Sequence, residues 1–409
     1  MATIRQFRAL RPTPELARRV ACVPYDVLDD DEVNEFTKDN PLSFLRVTRP
    51  EAELADDEKA SPVIAFERAR QNLLRLVDDG VLISDSESSL YAYRLTTQTN
   101  QQTGVVACCS LDEYERGLIR KHENTRPDKV QNRTGHLLTL RAQTGLILLA
   151  YRGTETLRRL TDEATTGEPL YDFRAADGVQ HAIWRIDDGT QLWTDAFREV
   201  PYLYIADGHH RIESAELARQ RIVTGRGNLP AGDEFNFVMA GIFPSEELRI
   251  LAYNRAIRDL HGLTSEEFLT RLNQNFSVTD GDQKVPEKHG EICMYHASKW
   301  YRLVYNVENG DGQDPIENLD VSILQSNILA PILGIADPRT DDRIIFVGGG
   351  RGTAELERLV DSGEAAAAFS LYPTTMENLF TVSDAGEIMP PKSTWFEPKL
   401  KDGLLIHQI

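Results

Sequence analysis

Cysteine is scarce in this sequence, and its four copies lack the spacing of a metal site. Cys22, Cys108, Cys109 and Cys293 include no C-x-x-C pair and have no neighbouring pattern of histidines. Zinc binding and a disulfide framework are therefore both disfavoured. The adjacent pair Cys108-Cys109 lies in an apolar run, where two strand residues that face opposite sides are the simplest interpretation.

Basic runs and long apolar runs are missing as well. No stretch of Lys and Arg exceeds two residues, and 45 basic against 64 acidic residues give a formal net charge of −19. Such a charge repels nucleic acids and anionic membranes, so neither is an expected partner. No apolar stretch approaches the roughly 18 residues of a membrane span, and no basic-then-apolar leader is present. These absences predict a cytoplasmic protein and leave its oligomeric state open.

What remains is the composition of ordinary globular domains, with 41% hydrophobic and 27% charged residues in a chain of 409. Strand-like and helix-like segments alternate along it, which predicts an α/β (α+β) fold. The pattern changes near residue 262. We predict an N-terminal extension over residues 1–100, a central domain over 101–262 and a C-terminal α/β lobe over 263–409.

Three local segments are predicted with some precision. Apolar residues at helical spacing predict a helix over Val63–Asp79, which Gly80 ends. Leu90–Thr96 and Gly104–Leu111 flank a polar turn and predict a β-hairpin. Another helix is expected at Arg133–Gln143.

The most informative motif is Asp207-Gly208-His209-His210-Arg211, between the apolar run Tyr202–Ala206 and a helix-like segment. A strand that enters a helix through a glycine turn leaves backbone N–H groups at the positive end of the helix dipole, which suits a phosphate. Arg211 adds a charged fork for phosphate oxygens, and Asp207 could bind Mg²⁺ or a proton. The structural alternative is a capping Asp, a turn Gly and two surface histidines.

Two further stretches carry chemistry. Lys121-His122-Glu123 offers a cation, an imidazole and a carboxylate that could take the proton from a substrate hydroxyl. Pro391-Lys392-Ser393-Thr394 sets several donors on a path that proline holds extended. By contrast, Gly348–Gly352 lacks the spacing of a phosphate loop and favours a tight structural turn.

These three stretches, in this order, resemble the DUF1015 family, a domain of unknown function whose archaeal members include the free L-serine kinases. In those kinases an Asp-Gly-His-His-Arg turn corresponds to Asp207–Arg211. A His-Glu pair corresponds to His122-Glu123, and a Pro-Lys-Ser/Thr-Thr turn corresponds to Pro391–Thr394. The His-His-Arg turn is also similar to the phosphate-binding signature of the ParB/sulfiredoxin fold, which implies that fold for the central domain.

The resemblance implies a magnesium-dependent kinase that uses ATP or ADP to phosphorylate a small hydroxyl metabolite, with free L-serine converted to O-phospho-L-serine as the best match. It implies catalytic roles for Glu123, as general base, and for Asp207, which would also bind the metal. Four residues would bind the nucleotide phosphates: Gly208, His209, His210 and Arg211. Four more would close over substrate or phosphate: His122, Lys392, Ser393 and Thr394.

Other activities remain open to different degrees. A regulatory protein that binds a nucleotide or phosphometabolite would need Arg211 but no base. Sulfiredoxin activity is disfavoured, because that enzyme needs a cysteine where this chain has His209. DNA partition of the ParB type is disfavoured by the acidic charge.

Overall fold

The computed structural model describes residues 2–59, 61–227, 229–306 and 314–409. Its contacts divide the chain into two compact units. Unit 1 consists of Met1–Lys121, Thr125–Leu248 and Pro398–Ile409, and unit 2 consists of His122–Asn124 and Arg249–Glu397. The chain therefore leaves unit 1 twice and returns to it twice.

The strands, in chain order, are β1 Ile4–Arg5, β2 Ala9–Pro12, β3 Leu82–Ser84, β4 Leu90–Thr96, β5 Gln101–Ser110, β6 Ile119–Arg120, β7 Ala142–Gln143, β8 Ile147–Tyr151, β9 Tyr171–Arg174, β10 Gln180–Ile186, β11 Leu203–Asp207, β12 Phe237–Pro244, β13 Arg249–Leu251, β14 Asn254–Ile257, β15 Phe276–Asp280, β16 Glu291–His296, β17 Lys299–Tyr305, β18 Ile344–Val347, β19 Ala367–Leu371, β20 Trp395–Glu397 and β21 Ile406–Gln408.

The α-helices are α1 Ala17–Val20, α2 Asp30–Lys38, α3 Leu45–Thr48, α4 Asp56–Lys59, α5 Pro62–Asp78, α6 Leu111–Glu115, α7 Pro127–Leu140, α8 Glu155–Ala164, α9 Thr190–Arg198, α10 His209–Arg226, α11 Ser265–Leu272, α12 Asp320–Leu324, α13 Gly352–Asp361 and α14 Met376–Asp384. A π-helical turn at Gln325–Leu329 follows α12. Within the described ranges no helix is long and apolar enough to cross a bilayer.

Unit 1 is built on a nine-stranded mixed sheet with the strand order β6-β11-β8-β12-β5-β4-β10-β9, and β1 pairs with β5 beside this path. β6 runs parallel to β11, and β8 runs parallel to β12. The central strand β5 is almost entirely buried, which explains its unbroken apolar run. Cys108 and Cys109 lie in it as free, buried thiols. A second sheet has the order β3-β2-β21-β7.

Unit 2 contains a six-stranded sheet with the order β15-β17-β16-β19-β14-β18. α13 covers part of it through Leu356 and Leu359, which are buried together with strand residues such as Ala256 and Ala368. A separate two-stranded ribbon joins β13 to β20, with Arg249 opposite Glu397. The first and last strands of the long segment 249–397 are therefore neighbours.

The predicted α/β (α+β) class is confirmed by these mixed sheets and helices, and the local segments fall close to their predicted places. The predicted helix over Val63–Asp79 is α5, and the predicted hairpin is β4–β5, with Tyr91 opposite Val106. The helix expected at Arg133–Gln143 begins earlier, as α7, because Pro127 fits the first turn, where no N–H partner is needed.

The division into units differs from the predicted boundaries at residues 100 and 262. Residues 1–100 do not form an extension, because β4 pairs with β5 and β10 inside the large sheet. The last segment of the predicted C-terminal lobe belongs to unit 1, since β21 pairs with β2 and β7 there. Apart from the hairpin β4–β5, the strands of these pairs are distant in sequence and leave no local signal.

Gly403 provides a test of how firmly segment 398–409 is seated in unit 1. Its φ is +83°, and an added Cβ would lie 2.6 Å from Cγ of the fully buried Phe44. Gly403→Ala should therefore combine backbone strain with overpacking and cost roughly 2–4 kcal/mol of unfolding free energy. Urea unfolding followed by circular dichroism measures the loss.

The matched control is Gly117→Ala. Gly117 has a similar φ of +71° but open space around it, so its replacement should cost only the strain, about 1 kcal/mol. Equal losses in the two variants would show that Phe44 moves aside and that segment 398–409 is loosely packed.

Candidate functional site

The turn Asp207–Arg211 joins the end of β11 to the start of α10, as predicted. Gly208 adopts a left-handed conformation (φ 97°, ψ 27°), and its carbonyl accepts the N–H groups of Arg211 at 2.9 Å and Ile212 at 3.2 Å. Glycine adopts this conformation without strain. The turn thus opens a helix of 18 residues, and the N-terminal end of a helix is a type of site that suits an anion.

Asp207 is paired with a lysine that the sequence did not single out. The Lys399 Nζ donates to Asp207 Oδ2 at 2.8 Å. Burial opposes ionisation of Asp207, but the charges of Lys399 and Arg211 outweigh it and hold the pKa of this carboxyl below its usual range. Asp207 is therefore a carboxylate at neutral pH, and an ammonium group already balances its charge.

Arg211 is held by segment 398–409 and by the backbone just before β8. Its Nη1 donates to the Leu146 carbonyl and lies 3.9 Å from Asp402 Oδ1. Burial disfavours its charged form, but Asp402, Asp26 and Asp207 together raise its pKa above the usual range. The guanidinium is therefore fixed and charged, with further N–H groups available in its five-donor fork.

The two histidines of the turn differ in environment. His209 is buried at the first position of α10. His210 is half-buried, and its Nε2 accepts the backbone N–H of Arg126 at 3.0 Å. In the neutral ring this bond places the proton of His210 on Nδ1. The two histidines thus take part in the packing and hydrogen bonding of the turn. The structural alternative in the sequence analysis had placed both of them on the surface.

His122 and Glu123 lie in unit 2, beside the stretch near the end of the chain. The buried His122 accepts the N–H of Met389 at its carbonyl at 2.8 Å, and its Nε2 lies 3.2 Å from Thr394 Oγ1. A ring nitrogen of His122 and a carboxylate oxygen of Glu123 lie within 4.8 Å of each other. The structure thus brings two of the three predicted stretches together.

The loop Pro391–Thr394 is shaped by an arginine beneath it. Arg255, buried on β14, donates through Nη2 to the carbonyls of Pro391 at 3.1 Å and Lys392 at 2.9 Å. Burial lowers the pKa of Arg255 to about 9. Lys392 takes a left-handed φ of 58°, and its Nζ lies 5.4 Å from the centre of the Tyr253 ring.

Ser393 and the glycine run have structural contacts. Ser393 is buried, its Oγ donates to the Pro390 carbonyl at 2.7 Å, and its own carbonyl accepts the Thr374 hydroxyl at 2.9 Å. Gly348 lies against the Trp395 ring, where a Cβ would approach to 2.3 Å. The prediction that Gly348–Gly352 is a structural turn agrees with this packing.

Sequence reasoning missed Lys399, Asp402 and Arg255, although each contacts a predicted site residue. Lys399 and Asp402 lie in a segment without periodicity or motif, and their partners are 192 and 191 positions away in the chain. The only available signal was the concentration of charge in Lys399-Leu400-Lys401-Asp402 next to an aromatic stretch.

Comparison with known proteins gives one match over most of the chain. The family described as "Protein of unknown function (DUF1015)" matches residues 4–322. A UPF0502 protein from Xanthomonas oryzae pv. oryzae is 28% identical over 187 residues, which cover 41% of this chain and 81% of that protein.

Solved structures give weaker similarities. SbnI from Staphylococcus aureus, truncated at its C-terminus, has a TM-score of 0.39 at 12% identity and covers 74% of this chain and 87% of its own. A free serine kinase in complex with AMP has a TM-score of 0.35 at 15% identity, with coverage of 71% and 86%. At such scores these similarities carry no argument about this chain.

The ion pair between Lys399 and Asp207 predicts a pH-dependent coupling. Because the pKa of Asp207 is lowered in the folded state, its contribution to stability is present above the unfolded pKa of about 3.9 and is lost as the pH falls further. A double-mutant cycle with Lys399→Met and Asp207→Asn, measured by urea unfolding, should give a favourable coupling at neutral pH. A coupling that stays constant below pH ~3 would exclude this charge assignment.

Proposed function

The chain belongs to the DUF1015 family, and we propose that it is a kinase that transfers a phosphoryl group from ATP or ADP to the hydroxyl of a small metabolite. Free L-serine is the proposed acceptor, and O-phospho-L-serine the product. The observation that supports this proposal most is the turn at Gly208, where β11 passes into an 18-residue helix with Arg211 in its first turn.

The turn supplies what a phosphate chain needs. The first N–H groups of α10 carry the positive end of the helix dipole, and the charged Arg211 is fixed beside them. Phosphoryl transfer is catalysed mainly by positioning and by stabilisation of negative charge. Gly208, His209, His210 and Arg211 would therefore bind the donor's phosphates.

Glu123 is the proposed general base. A half-buried carboxylate close to an imidazole can accept the proton of a substrate hydroxyl as the oxygen attacks phosphorus. The His122 bond to Thr394 would couple the base to the loop that contains Lys392 and Ser393.

Magnesium binding by Asp207 does not fit its contacts. Lys399 donates to the Asp207 carboxylate at 2.8 Å and balances its charge, whereas a metal ligand must offer that oxygen to the cation. We therefore derive no step through a metal at Asp207. In this proposal Asp207 holds Lys399 at the phosphate end of the turn, and Mg²⁺ enters only as the partner of the nucleotide's phosphates.

Turnover is tested by incubating the protein with ATP or ADP, Mg²⁺ and L-serine and following phosphorus NMR. The wild type should form O-phosphoserine, and Glu123→Gln should lower the rate by about 10²–10⁴-fold, because it keeps the shape but removes the basicity. Nucleotide binding, measured by calorimetry, should survive. The exposed Glu168→Gln serves as the matched control.

The outcomes separate the alternatives. Nucleotide binding without any transfer to L-serine or related hydroxyl compounds would identify a regulatory binding protein. An active wild type with an equally active Glu123→Gln variant would support the kinase activity and exclude Glu123 as its general base.

Phosphate binding at the turn is tested through Arg211. Arg211→Gln should weaken nucleotide binding by roughly 1–3 kcal/mol, the range for a charged hydrogen bond. Arg198→Gln, in an exposed pair with Asp195, should bind as the wild type does. Unchanged affinity in Arg211→Gln, with a native circular dichroism spectrum, would place the nucleotide elsewhere.

A further inference from the structure

Unit 1 contains a cavity of about 50 Å³ beside the turn, and its charged walls come from four separate stretches of the chain. Tyr25 precedes α2, Arg133 lies on α7, Arg211 lies in the first turn of α10, and Asp402 lies in segment 398–409. A single water needs about 10–15 Å³ of such space. The cavity is therefore large enough for several waters or for a small polyatomic ion.

Both arginines face the same aromatic ring. The guanidinium carbon of Arg133 lies 4.0 Å from the centre of the Tyr25 ring, and that of Arg211 lies 5.7 Å from it. Two like charges repel in a partly buried space, and one ring offsets only part of that repulsion. The arrangement thus concentrates positive charge on one cavity.

The hydrogen bonds of the polar lining residues are unevenly satisfied. Ser214 and Gln143 are fully engaged with backbone groups of unit 1. Arg133 makes only long contacts with the Thr48 carbonyl, at 3.4 and 3.5 Å, and its buried Nε has no hydrogen-bond partner among the described residues. An unpartnered buried donor is costly and calls for a ligand or a water.

Asp402 is the acidic group of the lining, and it does not balance two guanidinium groups. Burial raises its pKa to about 7, and Asp26 raises it too, although Arg211 and Arg133 act in the opposite direction. His136, also in the lining, stays neutral because burial lowers its pKa to about 3. The lining side chains by themselves therefore carry an excess of one to two positive charges near neutral pH. Asp26 and Asp207, which lie outside the lining, offset part of this excess, and an anion would compensate the rest.

We propose that this cavity is a binding site for a small oxyanion, with Arg133 and Arg211 as its charged donors and Tyr25 as the surface between them. Asp402 donates to the oxyanion when protonated and repels it when ionised. The site itself does not depend on the kinase activity. Its assignment to a substrate's phosphate or carboxylate group rests on the proposed function, because Arg211 is shared with the turn.

The proposal predicts how affinity changes with pH. Anion binding should be tightest below pH ~7, where Asp402 is protonated, and should weaken as the pH rises through that value. Among the described residues, the charged and titratable groups that face Asp402 are Arg211 and Asp207 from the turn, Arg133 from α7, Tyr93 from β4, and Cys22, Tyr25 and Asp26 from the loop between α1 and α2.

Sulfate is the suitable probe, since its own charge does not change in this range. Calorimetric titration of the full chain should show one saturable sulfate site that is tighter near pH ~6 than near pH ~8. Arg133→Gln should weaken it roughly tenfold or more, as expected for loss of a charged hydrogen bond. Arg159→Gln, whose side chain is 65% exposed on α8, should leave it unchanged.

Asp402→Asn keeps the shape of the side chain and removes its titration. Sulfate affinity in this variant should lose its pH dependence, and this result remains available if Arg133→Gln does not fold. The proposal is overturned by an absence of saturable sulfate binding in the wild type, by unchanged binding in folded Arg133→Gln, or by an undiminished pH dependence in Asp402→Asn.

Competition identifies the natural oxyanion. Displacement of sulfate by AMP would assign the site to a nucleotide phosphate, and displacement by L-serine would assign it to a carboxylate. If the protein binds sulfate through Arg133 but transfers no phosphoryl group, the oxyanion site is supported and only the proposed kinase activity is excluded.

Discussion

The charge balance of the Asp207–Arg211 turn is the interaction on which the rest of unit 1 depends. Two ionic partners of the turn, Lys399 at 2.8 Å and Asp402 at 3.9 Å, come from segment 398–409. Segment 398–409 is itself fixed by the pairing of β21 and by the close packing of Gly403 on Phe44. The backbone of this helix start is formed locally, but the charges of Asp207 and Arg211 are balanced by residues far away in sequence.

The local part of this site could be predicted from sequence. An apolar run, a glycine and a helix-forming segment specify β11, the left-handed Gly208 and α10, because each depends only on neighbouring residues. The hairpin β4–β5 and the helix α5 follow from short-range periodicity in the same way.

The non-local part could not be predicted. Lys399 and Asp402 have no pattern that points to Asp207 and Arg211, and Arg133 was visible only as one polar position of a helix. The unit boundaries were missed for the same reason, since β4 pairs with β10 and β21 pairs with β2 and β7, and no short window of sequence contains both strands of any of these pairs. Only the fold shows that charges scattered along the chain share one cavity.

In unit 2 the predicted site residues have structural contacts. Arg255 fixes two consecutive carbonyls of the loop, and Ser393 is bound on both its hydroxyl and its carbonyl. The backbone of the loop is therefore held in place by contacts within unit 2. His122 is part of this scaffold through Met389 and Thr394, which separates its role from that proposed for Glu123.

The ribbon β13–β20 bears on how such a chain assembles. Segment 249–397 is inserted between parts of unit 1, but the pairing of Arg249 with Glu397 sets its two ends side by side. Closing a flexible loop of that length costs on the order of 4 kcal/mol of entropy. Once segment 249–397 has folded, it connects Leu248 to Pro398 as a short hairpin loop would. The folding of unit 1 then no longer includes most of this loop-closure entropy. If segment 249–397 folds first during synthesis, Lys399 and Asp402 emerge close in space to the parts of unit 1 that precede the insertion. These residues can then reach the turn at a lower loop-closure entropy cost.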